Sequence, residues 1–232
     1  MDLAGPTNSA EGLSIMTVAS PAAGACRLSA VVAGLALMLL PVTLLAIAHA
    51  TPVWAEGAVL YEQDASDVQA KRYVGSVTWS AEQEPAAGGA KPALALRGDI
   101  VIPERHMAVS WLLRRNTDQA LPATHTIDIM FKLPPDFPGH GVGNIAGVTL
   151  KPSEQVRGTP LAGLAAKVTD SYFLFGLSAI EGDAKLNADL LRDGKWLDIL
   201  IIYGNGTCAV LTVEKGASGD RAFKEAFAAW EN

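Results

Sequence analysis

The histidines at positions 106, 125 and 140 are the side chains of this chain best suited to acid–base or metal chemistry. No pair of them has the short spacing of metal ligands, and His125 and Asp128, three apart, point to opposite faces of a strand. A fourth, His49, counts only if an N-terminal leader is retained. We therefore predict no catalytic residue, no metal ligand and no cofactor. A Ser/His/Asp hydrolase site assembled in space stays open as the alternative.

His140 lies in the segment 136–144, DFPGHGVGN, whose glycines suggest a phosphate-binding loop. The spacing fits neither the dinucleotide fingerprint nor a Walker motif, and no helix obviously follows. Prolines and glycines in this number instead favour a flexible surface loop, and such loops carry function more often than cores do. His140 is therefore the first candidate ligand-binding residue.

Positively charged side chains form a second group of candidates. Arg97, Arg105, His106 and Arg114 lie close together in the chain and give this region local positive charge. Such a patch can bind a carboxylate or a phosphate head group through charge-assisted hydrogen bonds. Solvated strand faces explain the same residues equally well, because exposed charges are common on any sheet.

Residues 28–48 read LSAVVAGLALMLLPVTLLAIA and carry no charge. About 20 such residues, rising about 1.5 Å each, span a hydrocarbon core of about 30 Å. Arg27 precedes this run and the next basic residue is Lys71, so the positive-inside rule places the N-terminus in the cytoplasm. We predict a disordered cytoplasmic tail (1–27), a transmembrane signal-anchor (28–48), a linker (49–72) and an exported domain (73–232).

Cleavage would change this anchoring. Ala48-His49-Ala50 fits a signal-peptidase site, and cleavage after Ala50 would leave a soluble periplasmic domain. The apolar run exceeds the roughly 7–15 residues usual in signal peptides, so we favour an uncleaved anchor. Cys26 and Cys208 then lie on opposite sides of the membrane and cannot pair within one chain. We expect Cys208 to be a small buried hydrophobe.

Alternation of apolar and polar residues with a period of two predicts antiparallel strands that pack one face on a core. The pattern predicts strands at 73–79, 94–102, 107–115, 125–132, 145–151, 166–169, 172–177, 196–203 and 207–214. The last two flank Gly204-Asn205-Gly206, where Asn-Gly suits a two-residue turn that would pair Tyr203 with Cys208. Both faces of this hairpin are apolar near its middle, so it is central in the core or covered by the C-terminal helix or by another chain.

Two helices complete the pattern. A short one is predicted at 183–192, and one at 220–230 has Phe223, Phe227 and Trp230 at helical spacing. Many strands, long Pro/Gly turns and a terminal amphipathic helix predict a mainly β, sandwich-like antiparallel domain preceded by one transmembrane helix.

Several phrases of the sequence resemble a known group of proteins. YVGSVTW, IPERHMAVSWLLRRNTDQALPATHTIDIMF, LPPDFPGHGVGN, RGTPLAGLAAKVTD and EKGASGDRAFKEAFAAW are similar to uncharacterised α-proteobacterial single-pass envelope proteins. The resemblance implies a bacterial inner membrane with the C-terminal domain in the periplasm. It implies no activity, cofactor or site residue.

Charge narrows the choice of partners. The formal net charge of −6 argues against nucleic acid, which needs a basic footprint. The membrane, contacted through residues 28–48, is one expected partner, and an envelope protein or a second copy of this chain is the other. The function predicted is therefore a membrane-tethered, non-catalytic binding or interaction module of the cell envelope, with the envelope hydrolase as alternative.

Overall fold

The computed structural model of the chain describes residues 55–63, 69–84 and 93–231. The predicted tail (1–27), the predicted membrane span (28–48) and His49 lie outside the described residues. Within the described residues, no helix is long and apolar enough to cross a membrane. Ala50–Asn232 form one compact unit.

Eleven strands of the described residues form one antiparallel sheet, in the order β7-β6-β10-β11-β1-β2-β3-β4-β5-β9-β8. They are β1 (Glu56–Glu62), β2 (Lys71–Glu84), β3 (Ala93–Ile102), β4 (Met107–Arg115), β5 (Ala123–Lys132), β6 (Val142–Lys151), β7 (Thr159–Pro160), β8 (Gly163–Lys167), β9 (Tyr172–Ser178), β10 (Trp196–Tyr203) and β11 (Cys208–Glu214). The helices are α1 (Glu181–Asp193) and α2 (Gly216–Trp230), with a 3-10 turn at Pro103–Arg105. The mainly β, antiparallel prediction is confirmed, but the strands form one sheet where two packed sheets were expected.

The sheet is curled, because its two ends come together. The backbone N–H of Leu161 donates to Val148 of β6 (2.9 Å), and the N–H of Ser178 in β9 donates to Ala162 (2.9 Å). One short piece of chain between β7 and β8 therefore bonds to both ends of the sheet, and β6 contacts β8. Curling lets a single sheet enclose its own core.

The core lies on the inner face of this curl. Alternate residues of each strand are buried there, as in β10, where Leu197, Ile199 and Ile201 are at most 1% exposed. The same alternation leaves Asp198, Leu200 and Ile202 on the outer face. Helix α2 packs on the inner face at one end of the curl, where Phe223 meets the rings of Trp79 (5.4 Å) and Trp111 (6.0 Å).

Strand β1 lies in the stretch 49–72 that the sequence predicted as a linker. It pairs with β11 on one side and β2 on the other, so it joins the two halves of the sheet. Ala58 and Leu60 are fully buried on the inner face, whereas the charges of the segment stand at its ends, Glu56 and Glu62. The charged residues at the two ends of β1 led to the prediction of a linker, although the middle of the strand is apolar.

The register of the late hairpin was predicted wrongly by one residue. Ile202 pairs with Cys208, because the loop between Tyr203 and Thr207 holds three residues, 204–206. The N–H of Tyr203 donates to the carbonyl of Thr207, and the N–H of Gly206 donates to the carbonyl of Tyr203. Gly206 has φ +84°, as expected of a three-residue loop that ends in a left-handed residue. The two hairpin strands lie third and fourth in the sheet order, and Ile199, Ile201 and Leu211 belong to the core, so the hairpin is part of the core as one of the predicted alternatives had it.

Candidate functional site

The five predicted ligand-binding residues fall into two separate places. Arg97 and Arg114 lie on the outer face of β3 and β4. Arg105, His106 and His140 belong to loops at the end of the domain opposite to α2. We call this the loop end and define it as residues 103–106, 133–141 and 204–206.

On the outer face, both arginines are already paired with carboxylates. Arg97 donates to Glu82 through Nε and to Ser110 through Nη1 at 2.7 Å. Arg114 lies 3.1 Å from Glu84 and 2.6 Å from Asp128, whose other oxygen accepts the hydroxyl of Tyr172 at 2.8 Å. The contacts of Arg97 link β2, β3 and β4, and those of Arg114 link β2, β4, β5 and β9. Glu84 also interacts electrostatically with Arg97, and the two groups together form one polar network.

The net charge of this network is negative, whereas the sequence predicted a positive patch. Its carboxylates are Glu82, Glu84, Asp99 and Asp128, against the two arginines. Burial and the neighbouring Asp128 raise the pKa of Tyr172 to about 12, so its hydroxyl stays protonated at neutral pH. An anionic ligand would have to displace a carboxylate here, and the arrangement is better suited to holding five strands together.

At the loop end, a buried carboxylate organises the site. Glu62, 8% exposed at the end of β1, accepts the hydroxyl of Tyr203 at 2.7 Å. The Nε of Arg105 lies 3.2 Å from both carboxylate oxygens. Burial and this carboxylate raise the pKa of Tyr203 well above its usual value. Neither Glu62 nor Tyr203 was predicted as a site residue, because Glu62 lies in the stretch predicted as a linker and Tyr203 was considered only for its pairing in the hairpin.

Aromatic rings flank the Arg105 guanidinium at the loop end. Its carbon lies 5.2 Å from the ring centre of Tyr73 and 4.8 Å from that of Phe137. Phe137 in turn meets the ring of Tyr203 edge-on at 5.2 Å. Cation–π contacts of this kind stabilise a partly buried arginine without neutralising it. Arg105 therefore packs against the 133–141 loop through Phe137, and its side chain is only 16% exposed.

The loop that carries His140 is held tightly against the tip of the β10–β11 hairpin. The N–H of Gly204 donates to Gly141 (3.0 Å), and the N–H of Asn205 donates to Gly139 (3.1 Å). Gly139 is buried so closely that a Cβ there would lie 2.7 Å from the ring of Phe137 and 2.8 Å from that of Tyr203. Gly139 and Gly143 thus allow close packing, and Gly141 adopts a left-handed conformation with φ +78°. The sequence predicted a flexible loop, whereas these contacts hold the loop against the hairpin.

His106 and His140 share an unusual backbone conformation. They are the two non-glycine residues of the described part of the chain with positive φ, +47° and +57°. Both side chains are exposed. Left-handed conformations strain residues other than glycine, and residues kept in them cluster at functional sites. The loop end is therefore the candidate site: two exposed imidazoles on a fixed frame.

His125 lies elsewhere, on the inner face beneath α2. Its ring is 4.9 Å from that of Trp230 and 6.4 Å from that of Phe227. The structure thus separates it from the two histidines of the loop end.

A second buried polar cluster lies on the outer face of the β10–β11 hairpin. Lys151 Nζ is 2.7 Å from Asp198, which also accepts the hydroxyl of Thr212 at 2.7 Å. The segment 152–158 lies over it, since Glu154 accepts bonds from Tyr61 (2.6 Å) and, through its carbonyl, from Lys151 (2.7 Å). Part of this outer face is therefore covered by the chain itself.

The expectation that Cys208 is buried is wrong. Its thiol is exposed. Cys208 points outward at the start of β11, next to the three-residue loop, whereas the inward position is taken by Ala209 at 3% exposure. The shift of one residue in register decides which of the two faces the core.

Two surface cavities lined by described residues lie away from the loop end. One, of about 480 Å³, lies between α1 and α2 beside Arg192, Lys195 and Asp220. Another, of about 270 Å³, lies between α1 and β6 beside Leu150 and Leu186. No histidine lines either cavity, and the described residues contain no group of three or more His, Cys, Asp or Glu side chains that could hold a metal ion.

No family model, no curated protein and no solved structure is significantly similar to this chain.

Proposed function

We propose that this chain is a non-catalytic binding module of the bacterial cell envelope, and that the loop end is its recognition surface. One observation carries the proposal: the fold holds the exposed His140 in a strained left-handed conformation, on a loop bonded to the β10–β11 hairpin. Strain of this kind persists only where the surrounding structure imposes it.

A rigid loop is well suited to binding. Ordering a flexible loop on association lowers affinity, and a loop that is already ordered avoids that loss. Here Gly139 and Gly204 allow contacts too close for any other residue, and Phe137 anchors the loop on Tyr203 and Arg105. The imidazole of His140 is thereby presented to solvent in a fixed position, and loops of this kind commonly carry recognition residues.

The proposed setting follows from the apolar run at residues 28–48. We infer a membrane anchor that holds the domain in the periplasm at the inner membrane, with cleavage after Ala50 as the alternative that would release a soluble periplasmic protein. The proposed partner is a second envelope protein.

The test compares the full chain with His140→Asn, because asparagine tolerates a left-handed backbone and removes only the imidazole. Membranes carrying each form are cross-linked and the captured envelope proteins are identified by mass spectrometry. We expect one protein to be captured by the native chain and at least 10-fold less by His140→Asn. Lys185→Ala, an exposed change on α1, is the matched control and should capture as much as the native chain.

Thermal unfolding against divalent metals, nucleotides, phospholipid head groups and cell-wall fragments tests for a small ligand in the same variants. A ligand of the folded state at 100 times its dissociation constant adds about 2.7 kcal/mol. If a ligand raises the unfolding temperature saturably and His140→Asn removes that rise, the loop end is still the binding site, but its partner is a small ligand and not a protein. Capture and shifts that are equal in all variants would contradict the proposal, and hydrolysis of an ester or amide that His140→Asn abolishes would establish the hydrolase instead.

A further inference from the structure

The interface between α2 and the sheet contains buried polar atoms without hydrogen-bond partners. Within the described residues these atoms are Trp111 Nε1, His125 Nε2 and Ser218 Oγ. Trp111 stacks on Phe223 of α2, His125 lies against Phe227 and Trp230 of α2, and Ser218 is part of α2. An unpaired buried polar atom weakens the packing that buries it. The weakness is thus concentrated where the C-terminal helix joins the fold.

His125 is the member of this set that can change its charge. A protonated imidazole needs an acceptor at both nitrogens, and Nε2 is buried without one. Two aromatic rings of α2, Phe227 and Trp230, cover it. Burial, reinforced by the positive charge of Arg115, lowers the pKa of His125 from 6.5 to about 4.

The charged groups on the elements around His125 either oppose its protonation or are already paired with other groups. On β4, the cross-strand neighbour of His125 is Arg115, whose Nη1 donates to the carbonyl of Trp230 at 3.0 Å. Beyond the end of α2, Glu231 lies 2.7 Å from Arg192 of α1, which also covers Phe227. On the other side, β9 contributes Gly176–Ser178, which do not titrate.

We propose that α2 is an acid-released closure: protonation of His125 detaches the C-terminal turns of the helix from β4 and β5 and exposes the aromatic end of the inner face. The first turn of α2 stays attached through Lys215 and the β11 strand. Release must break two hydrogen bonds of Trp230 at the other end, its carbonyl with Arg115 (3.0 Å) and its Nε1–H with the Leu94 carbonyl (2.7 Å), together with the Arg192–Glu231 ion pair (2.7 Å). Release opens the rings of Phe227 and Trp230 and the inner end of β4 and β5 to solvent. It also frees the guanidinium of Arg115 from its helix carbonyl.

The sign of the effect follows from the two protonation states. In the closed form His125 binds its proton near pH 4, and in the open form near 6.5, so acid favours the open form. Between pH 7.5 and pH 5.0 the opening equilibrium should rise about 30-fold.

Hydrogen–deuterium exchange of the full chain in lipid nanodiscs measures this directly. Rates are compared at pH 7.5 and 5.0 after correction for the intrinsic pH dependence of exchange. We expect the 222–231 region to open about 30-fold more at pH 5.0, while β10 and β11 keep their protection. His125→Phe keeps an aromatic ring and cannot titrate, so its 222–231 region should exchange equally at both pH values.

Matched variants distinguish this device from general acid sensitivity. His106→Gln changes an exposed histidine at the loop end and should keep the full response. If His125→Phe does not fold, His125→Gln serves in its place. The proposal is overturned if the native helix shows no pH response, if the variant at position 125 responds like the native chain, or if β10 and β11 lose protection together with α2.

Discussion

At the scale of single residues, three buried ionisable groups owe their positions to specific partners. Glu62 binds Tyr203 and Arg105, and Lys151 binds Asp198. Lys215 is fully buried, donates to the carbonyl of Leu191 at 2.8 Å, and lies 3.9 Å from the ring centre of Phe223. The carbonyls at the end of α1 carry the negative end of the helix dipole, so this ammonium is placed where a cation is favoured.

The bond between Tyr203 and Glu62 should be measurable as a coupling. We expect Tyr203→Phe and Glu62→Gln each to destabilise the domain, and the pair to show a coupling energy of about 1–3 kcal/mol, because hydrogen bonds to charged groups are the stronger ones. Urea unfolding of the four forms measures it. Strict additivity would show that the 2.7 Å contact contributes nothing to stability.

Lys215 predicts how stability depends on alkaline pH. Burial lowers its pKa from 10.5 to about 8, so the unfolded chain binds the extra proton between these values and stability rises as pH increases from 8 toward 10.5. From pH 8 to pH 10 the rise should be about 2 kcal/mol, and Lys215→Met should remove it. Urea unfolding at the two pH values checks this, and an equal rise in both proteins would refute the assignment.

At the scale of elements, α1 closes the curl of the sheet through one side chain. Asn187, 2% exposed, accepts the N–H of Ala162 and donates to its carbonyl, both at 2.8 Å. Ala162 belongs to the short segment that bonds to both ends of the sheet. An asparagine amide can satisfy both backbone groups of one residue, which a hydrophobic side chain cannot.

Asn187→Ala should therefore cost more than a typical helix substitution. Losing two buried hydrogen bonds and leaving the N–H of Ala162 unpaired should destabilise the domain by about 2–4 kcal/mol, while the carbonyl of Ala162 keeps its bond from Ser178. Lys185→Ala, on the exposed side of the same helix, should leave the urea midpoint nearly unchanged. If the two variants lose similar amounts of stability, the bonds of Asn187 to Ala162 do not close the sheet.

At the scale of the whole molecule, the positions of the two cysteines allow the proposed membrane topology to be tested. Cys208 is exposed on β11, and Cys26 precedes the apolar run. If the run crosses the membrane, the two thiols report its opposite sides.

A membrane-impermeant maleimide added to spheroplasts tests this topology. We expect Cys208 to be labelled in intact spheroplasts and Cys26 only after lysis, because a charged reagent does not cross the bilayer. Cys208→Ser and Cys26→Ser assign the two signals. Labelling of Cys208 only after lysis would place the domain in the cytoplasm and contradict the periplasmic proposal.

The strands with clear alternation were predictable because one of their faces is apolar and the other wet. Strands β4 and β10 have the predicted bounds, and α2 begins four residues earlier than predicted. Strand β1 and the pairing of Tyr203 were not predictable in the same way. Charges at the ends of β1 disguised its apolar middle, and an Asn-Gly pair fits loops of two and of three residues.

The candidate site was predictable only in part. His140 and Arg105 were chosen for residue type, and the structure brings them to one end, whereas Arg97 and Arg114 are paired with carboxylates on another face. Their carboxylate partners come from other strands, so charge counted along the chain did not show that the patch is neutralised.

The amino-acid sequence by itself determined the class of this protein: an apolar run near the N-terminus, then a mainly β domain of antiparallel strands with two helices. These are local properties, decided by the period with which apolar residues recur. Only the tertiary structure decided that the sheet curls upon itself, that Glu62 meets Tyr203 and Arg105, and that His125 lies unpaired beneath α2. Such contacts join residues up to 141 positions apart, and they depend on strand order and register, which a single sequence does not encode locally.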